Sequence, residues 1–309
     1  ASMSVVQPGS AATPHQLSPP RGSIFAALGW MTCALCCFTF IAIAGREAQR
    51  RGVVTIELVF LRSVIALAVL FPILIAAGKL REALSTGQPL LQIVRGGVHW
   101  VAQFSWLYAL ALIPLAQLFA LEFTAPLWVA VLAPILIGER LTGARLAAAL
   151  LGFGGALIVA NPGGARFDVG ALFACISALG FALSMIATKR LTRTDGAATI
   201  LLYMTAVHAI ISLLPAIPYL RLHDAQTFGF VAAVAILGLG AHYAMARAFS
   251  EADAIIVAPM DFMRLPLIAA VGGLLYSEPL NPWVLAGGGV VVAANLLNMW
   301  AERRRSSSP

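Results

Sequence analysis

Residues 120–128 read ALEFTAPLW and residues 259–267 read PMDFMRLPL. Each sets a carboxylate, Glu122 or Asp261, and a proline, Pro126 or Pro266, inside a long apolar stretch, and the second adds Arg264. A charge at the centre of a bilayer costs about 2.5–3.5 kcal/mol, so each acid needs a partner or a water-filled cavity. Two chemistries meet that need. The carboxylate can release a proton as a solute binds, or it can be half of a fixed ion pair. Asp261 and Arg264 are three apart on one helix, which makes a pair easy, and Arg62 is the candidate partner of Glu122.

A second polar set runs along one face. Arg95, His99 and Gln103 follow i, i+4, i+8, with Trp106 three further on, a spacing that puts all four on one side of a helix. Further along, His242 and Tyr243 stand together, with Arg247 one turn later. A guanidinium, an imidazole, an amide and an indole on one wall can hold an anionic or conjugated solute by charge, hydrogen bonds and stacking. The candidate solute-binding residues are therefore Gln103, Trp106, His242, Tyr243, Arg264, Arg62, Arg95 and His99. Glu122 and Asp261 are candidate proton or ion-pair sites. The plainer reading is that these groups hydrogen-bond between helices, and that Arg95 and Arg247, near helix ends, snorkel to the surface. His208 reads as a hydrogen-bonded packing residue. Interior cations (Arg62, Arg95, Arg247, Arg264) outnumber the anions Glu122 and Asp261, and fixed positive charge in a cavity favours a solute with a carboxylate, phosphate or other anionic group.

Enzyme signatures are absent. The chain holds no HExxH, no GxSxG, no protease-type aspartate pair and no nucleotide-binding loop. Cys33, Cys36 and Cys37, with Cys175 apart from them, would need thiolates in hydrocarbon to bind a metal, so they read as small packing residues. No metal and no cofactor is expected. No charged ring or filter-like loop of a channel appears either.

The elements that carry these residues follow from composition. The chain has 309 residues, 60% hydrophobic and 11% charged, with a net charge of +7 and a mean hydropathy of +0.90. That is far below the roughly 25% charged residues of a soluble domain, and apolar runs of about 20 residues, long enough to span a bilayer core, recur throughout. Ten are read: 23–44, 54–76, 92–113, 115–137, 143–161, 168–188, 197–219, 228–249, 254–276 and 281–301, with Pro114 alone between the third and fourth. The basic residues lie at segment ends and form no patch for nucleic acid. With the N-terminus inside, inner segments hold eleven Lys and Arg and outer loops five, counting Arg46, Arg50 and Arg51 in the first outer loop. Both termini are thus expected in the cytoplasm, across the cell inner membrane. Residues 1–20, rich in Ser, Pro and Ala, read as a disordered tail without a cleavable signal, and 302–309 as a basic cytoplasmic tail.

The chain also aligns with itself. Glu122 and Asp261 are 261 − 122 = 139 apart, as are Glu139 and Glu278 (278 − 139 = 139) and Gln103 and His242. Upstream, Gly52 and Gly196 are 144 apart, as are Ala27 and Ala171. Two repeats result, 21–162 and 166–301, of five helices each. Five is odd, so the second repeat enters the membrane from the opposite side, a plan common in secondary transporters. Small-residue faces, Ala148, Gly152 and Ala156 in segment five and Gly287–Gly289 with Ala293 in segment ten, suit close packing within a monomer or a homodimer contact.

AQLFALEFTAPLWVAVLAPILIGERLT with the following LLGFGGALIVANPGG, and APMDFMRLPLIAAVGGLLYSEPL in the second half, resemble the EamA-type branch of the drug/metabolite transporter superfamily. The resemblance covers nearly all of the chain after residue 21. It implies an all-α membrane protein of ten transmembrane helices in two inverted repeats, around a cavity lined mainly by helices one, three, four, six, eight and nine. It also implies a secondary transporter whose partners are a small-molecule substrate, the lipid bilayer and a proton or solute gradient. An anionic or carboxylate-bearing metabolite is the expected solute. Export of amino acids or other zwitterionic or aromatic metabolites is the alternative, and an intramembrane enzyme or channel the non-transporter one.

Overall fold

The computed structural model describes residues 24–137, 143–160, 168–251, 261, 263–279 and 281–306. Among these every regular element is helical: α1 Ile24–Arg50, α2 Thr55–Ala76, α3 Leu80–Leu84, α4 Pro89–Leu112, α5 Leu115–Glu122, α6 Ala125–Ile137, α7 Gly143–Ala160, α8 Val169–Leu191, α9 Ala197–Ala216, α10 Ala225–Glu251, α11 Arg264–Tyr276 and α12 Pro282–Ser306. Each of the ten expected segments contains a described helix, the fourth as α5 plus α6, with non-helical residues at some of the expected ends. Six stretches are long and apolar enough to cross a membrane, and α7, α11 and α12 carry shorter apolar helices. The row of Arg95, His99 and Gln103 keeps α4 out of that set. The expected tail at 1–20, the breaks at 138–140 and 161–164, and Pro259 lie outside the described residues.

Two boundaries depart from expectation for local reasons, and the join at Pro114 falls where expected. Segment one runs on from residue 44 to Arg50 and stops where Gly52 takes φ +91, a conformation that glycine adopts freely. Arg46 is therefore a helix residue and not part of a loop. The join at Pro114 is sharp: Ile113 and Pro114 are both extended (ψ 159 and 146), as the residue before a proline prefers. Segment four breaks in two at Phe123 and Thr124. Its second part starts at Ala125, so Pro126 sits in a first turn, where a missing N–H costs nothing. Pro266 sits likewise in the first turn of α11, whereas Pro134 lies inside α6 without ending it.

The second half repeats the first in these boundaries. The starts of α6 and α11 are 264 − 125 = 139 apart, their ends 276 − 137 = 139, and the starts of α7 and α12 282 − 143 = 139. The packing follows the same exchange. α1 lies along α10 while α4 lies along α8, and α2 meets α9, α5 meets α11 and α7 meets α12. Exchanging segment n with segment n+5 maps each of these pairs onto itself or onto another of the set.

The outer surface is apolar, with Phe25, Leu157, Ile210, Leu214 and Leu274 all more than two-thirds exposed, as a lipid-facing surface requires. The small-residue faces of α7 and α12 are spent on each other. A Cβ on Gly155 would lie 2.8 Å from Gly287 O, and one on Gly287 2.6 Å from Gly155 O. Backbone this close leaves no room for a side chain, so Gly287→Val should destabilise the protein by about 1–3 kcal/mol, read as earlier thermal unfolding in detergent. An unchanged unfolding temperature would mean that the two helices are not in contact.

Candidate functional site

A single cavity of about 1030 Å³ collects side chains from both halves. Its walls include Phe38 of α1, Arg62 of α2, Arg95, His99, Gln103 and Trp106 of α4, Glu122 of α5, Phe181, Thr188 and Lys189 of α8, His208 of α9 and His242 of α10, with Asp261, Arg264 and Asn295. Nine of the ten residues singled out from sequence are among them. The tenth, Tyr243, is 61% exposed and packs edge-on to Trp30 at 5.9 Å. Successive residues of a helix differ by about 100° in direction, and here that turn carries Tyr243 out of the lining that His242 joins. The lining also takes in α2, α9 and α12, beyond the six helices that the family resemblance implied.

At the heart of the site one guanidinium holds both acids. Arg264 Nη2 donates to Asp261 Oδ2 at 2.9 Å and to Glu122 Oε1 at 3.4 Å, and Trp106 Nε1 donates to Glu122 Oε2 at 2.7 Å. Arg264 is 6% exposed and faces the rings of Phe38, Phe119 and Phe123 at 4.8, 5.1 and 5.3 Å. The Asp261–Arg264 pair was legible from spacing. The other pairing differs from expectation: Glu122 takes Arg264, across 142 residues, and not Arg62. The break at Phe123 makes this reach work, because it ends α5 on Glu122 just where α11 begins on Arg264. The carbonyl that the break frees, Phe123 O, accepts from Asn295 Nδ2 at 2.7 Å.

Arg62 joins a chain of a different kind. Its Nη2 lies 2.9 Å from His208 Nδ1, and His208 Nε2 lies 3.3 Å from His99 Nδ1. His208 is the hydrogen-bonded packing residue expected, 1% exposed, and it also borders the cavity. Arg95 is 9% exposed, with Nε on Thr188 Oγ1 at 3.0 Å and Nη1 on Ile200 O at 3.2 Å, so it does not snorkel.

The two ends of the cavity differ. At one end its lining reaches Lys189 and Thr192, where α8 finishes. At the other it stops against a core that includes Ala44, Ala48, Leu107, Leu110, Leu115 and Leu118. Arg46 seals this second end. Its Nη2 donates to Leu110 O at 2.7 Å and Ile113 O at 2.6 Å, meeting carbonyls that the end of α4 leaves without helical partners. Its Nη1 pairs with Glu278 Oε1, and Glu278 Oε2 accepts the first N–H of α5, Leu115, at 2.8 Å. At the start of α2, Glu57 is fully buried, accepting from Arg221 N at 3.2 Å with His223 Nε2 at 2.8 Å. Across the molecule, in the turn between α8 and α9, burial acts to raise the Asp195 carboxyl. Hydrogen bonds from Thr86, Gly87 N and Gln92 outweigh it and hold the group below its usual value.

A multi-pass helical membrane protein with two repeated halves and a polar cavity between them is what fold and site define. The chain belongs to the EamA-like transporter family, whose model matches residues 25–161 and again 168–300. Named relatives are transporters and not enzymes. A riboflavin transporter of Brucella anthropi is 28% identical over 278 residues, covering 87% of this chain and 96% of that protein. An S-adenosylmethionine uptake transporter of Rickettsia prowazekii is 25% identical, covering 82% and 85%. A pseudopaline exporter of Pseudomonas aeruginosa is 27% identical, covering 86% and 94%. A solved crystal structure shares the fold with a TM-score of 0.62 at 20% identity, covering 92% of this chain and all of that one.

Proposed function

We propose that the protein is a secondary transporter that moves a small organic metabolite bearing an anionic group, by alternating access across the bacterial inner membrane. The observation that carries the anionic reading is the charge of the cavity: among the described residues Arg62, Arg95, Lys189 and Arg264 line it against Glu122 and Asp261. Four cations against two acids leave an excess of two when the histidines are neutral, and in a water-poor cleft that excess draws anions. Phe38, Trp106, Phe123 and Phe181 on the same walls suit a solute with a flat ring. The volume is at the upper end of the range for small-molecule sites, about 300–1,000 Å³, so a solute as large as the ones that the named relatives carry has room.

The ten helices cross as two oppositely oriented halves, and both termini face the cytoplasm, on the balance of basic residues. The end at Lys189 is then the cytoplasmic mouth, open in this conformation, and the Arg46–Glu278 seam is the closed external end. Transport requires that seam to part and the mouth to close. Glu122 and Asp261 are shared by one guanidinium here; release of that grip is the step that coupling to a proton or solute gradient would drive.

Counterflow in proteoliposomes tests this reading. Vesicles preloaded with each of a panel of carboxylates, phosphorylated metabolites, amino acids and flavins should take up the labelled form of at least one anion, without ATP. Exchange confined to neutral solutes would refute the anionic reading, and a steady conductance without exchange would point to a channel.

A further inference from the structure

Arg264 is the cation most firmly placed in the cavity, yet both acids there are already bound to it. The seat for an anion lies elsewhere. We propose that a carboxylate or phosphate group of the solute binds at the wall formed by Arg62, Arg95 and His99, with His208 positioning two of the three. The proposal rests on the transport reading for its biology but not for its chemistry.

Among the described residues no carboxylate pairs with Arg62 or Arg95. Each guanidinium carries five N–H donors. Arg95 directs one to Thr188 Oγ1 and one to Ile200 O, and Arg62 directs one to His208. Arg62 Nε is buried with no hydrogen-bond partner at all. A buried donor without an acceptor is a standing free-energy cost of about 1–3 kcal/mol, more for a charged group. Arg62 and Arg95 both line the cavity, where an oxyanion supplies acceptors for guanidinium N–H groups that no described carboxylate takes.

The histidine chain has a fixed sense. A guanidinium only donates, so His208 Nδ1 must accept from Arg62, which leaves the His208 proton on Nε2. That proton is shared between His99 Nδ1, at 3.3 Å, and the Gly96 backbone; where it engages His99, the His99 proton sits on Nε2. Arg62 thus orders His99 through His208, and the wall presents donors only: two guanidiniums and one imidazole N–H. His99 sits one helical turn from Arg95 and packs edge-on to Phe181 at 5.4 Å, which holds the imidazole between the two cations. A donor-only wall with two positive charges selects a carboxylate or phosphate and gives a neutral or cationic group nothing to bind.

Arginine footprinting of the unmodified, full-length protein in detergent tests the seat without a substitution that could unfold it. Phenylglyoxal reacts with accessible guanidiniums, and mass spectrometry reads each one separately. The probes are inorganic phosphate, benzoate against neutral benzamide, and flavin mononucleotide against neutral riboflavin. Arg62 and Arg95 should be labelled in the free protein, while Arg264, held by two acids, is not. At about ten times its dissociation constant, a seated anion should slow labelling of both about tenfold. Benzamide and riboflavin should leave the rates unchanged. Failure of all three anions to protect, protection equal to that of the neutral partners, or no labelling of Arg62 and Arg95 in the free protein would overturn the proposal. The two readings fail separately: protection without counterflow would remove the transport reading and leave the seat, and anion counterflow without protection would do the reverse.

Discussion

Arg264→Gln should both destabilise the protein and abolish transport. The substitution leaves Glu122 and Asp261 facing each other without the cation that bridges them, and removes a guanidinium set against three rings. Taking one partner from a buried charge cluster costs about 3–5 kcal/mol, mostly for the charge left behind. Water in the cavity reaches Asp261, whose side chain is 28% exposed against 16% for Glu122, so the larger part of the loss falls on Glu122. The logic predicts its own rescue. Glu122→Gln added to Arg264→Gln should restore most of the stability, because an amide can still accept from Trp106 Nε1, but not the transport. Thermal unfolding and counterflow of the single and double variants read the two effects apart. If Arg264→Gln alone unfolds at the temperature of the parent protein, the bridge carries no charge burden and the described geometry is not the one in solution.

The second large effect belongs to the Arg46–Glu278 seam, the external end in the proposed orientation. Glu278 serves two partners there, the Arg46 guanidinium and the Leu115 N–H. Glu278→Gln keeps an acceptor for Leu115 but removes the charge from Arg46, which is only 8% exposed. A loss of about 3 kcal/mol from the closed form alone would move the balance between closed and open external ends by on the order of a hundredfold. Tyr276, whose ring lies 5.1 Å from Arg46 and 5.5 Å from Arg50, still covers the seam, so the helices should remain packed. The expected result is a protein that stays folded, opens outward and exchanges solute more slowly. A variant that unfolds would show the pair to be structural, and one that transports as before would show it to be idle.

What could be read from the sequence divides along physical lines. Helices were legible because lipid demands long apolar runs, and the repeat because two acids and two flanking glutamates recur at one spacing. Asp261–Arg264 was legible because three residues on a helix make neighbours. Glu122–Arg264 was not, since it joins residues 142 apart across a helix break that no single residue type announces. Arg46 was misread as a loop residue: polar residues at the end of an apolar run look like solvent-facing ones, and only the partner 232 residues later shows that the helix carries them inward. His208 was legible as a hydrogen-bonded packing residue, but its partners Arg62 and His99 were not, since they lie on other helices. Tyr243 was included by adjacency to His242, a criterion that helical geometry does not respect.

Alternation between two end-closed forms is the centre of the account, and one distance reports it. Spin labels on cysteines placed at Arg51 and Pro279, both exposed beside the external seam, with Cys33, Cys36, Cys37 and Cys175 replaced, read the width of that seam in reconstituted protein. The account predicts a short distance that gives way to a longer one when Glu278→Gln is introduced, and two populations whose ratio shifts when a counterflow-active solute is added. One unchanging distance under all of these conditions would contradict it.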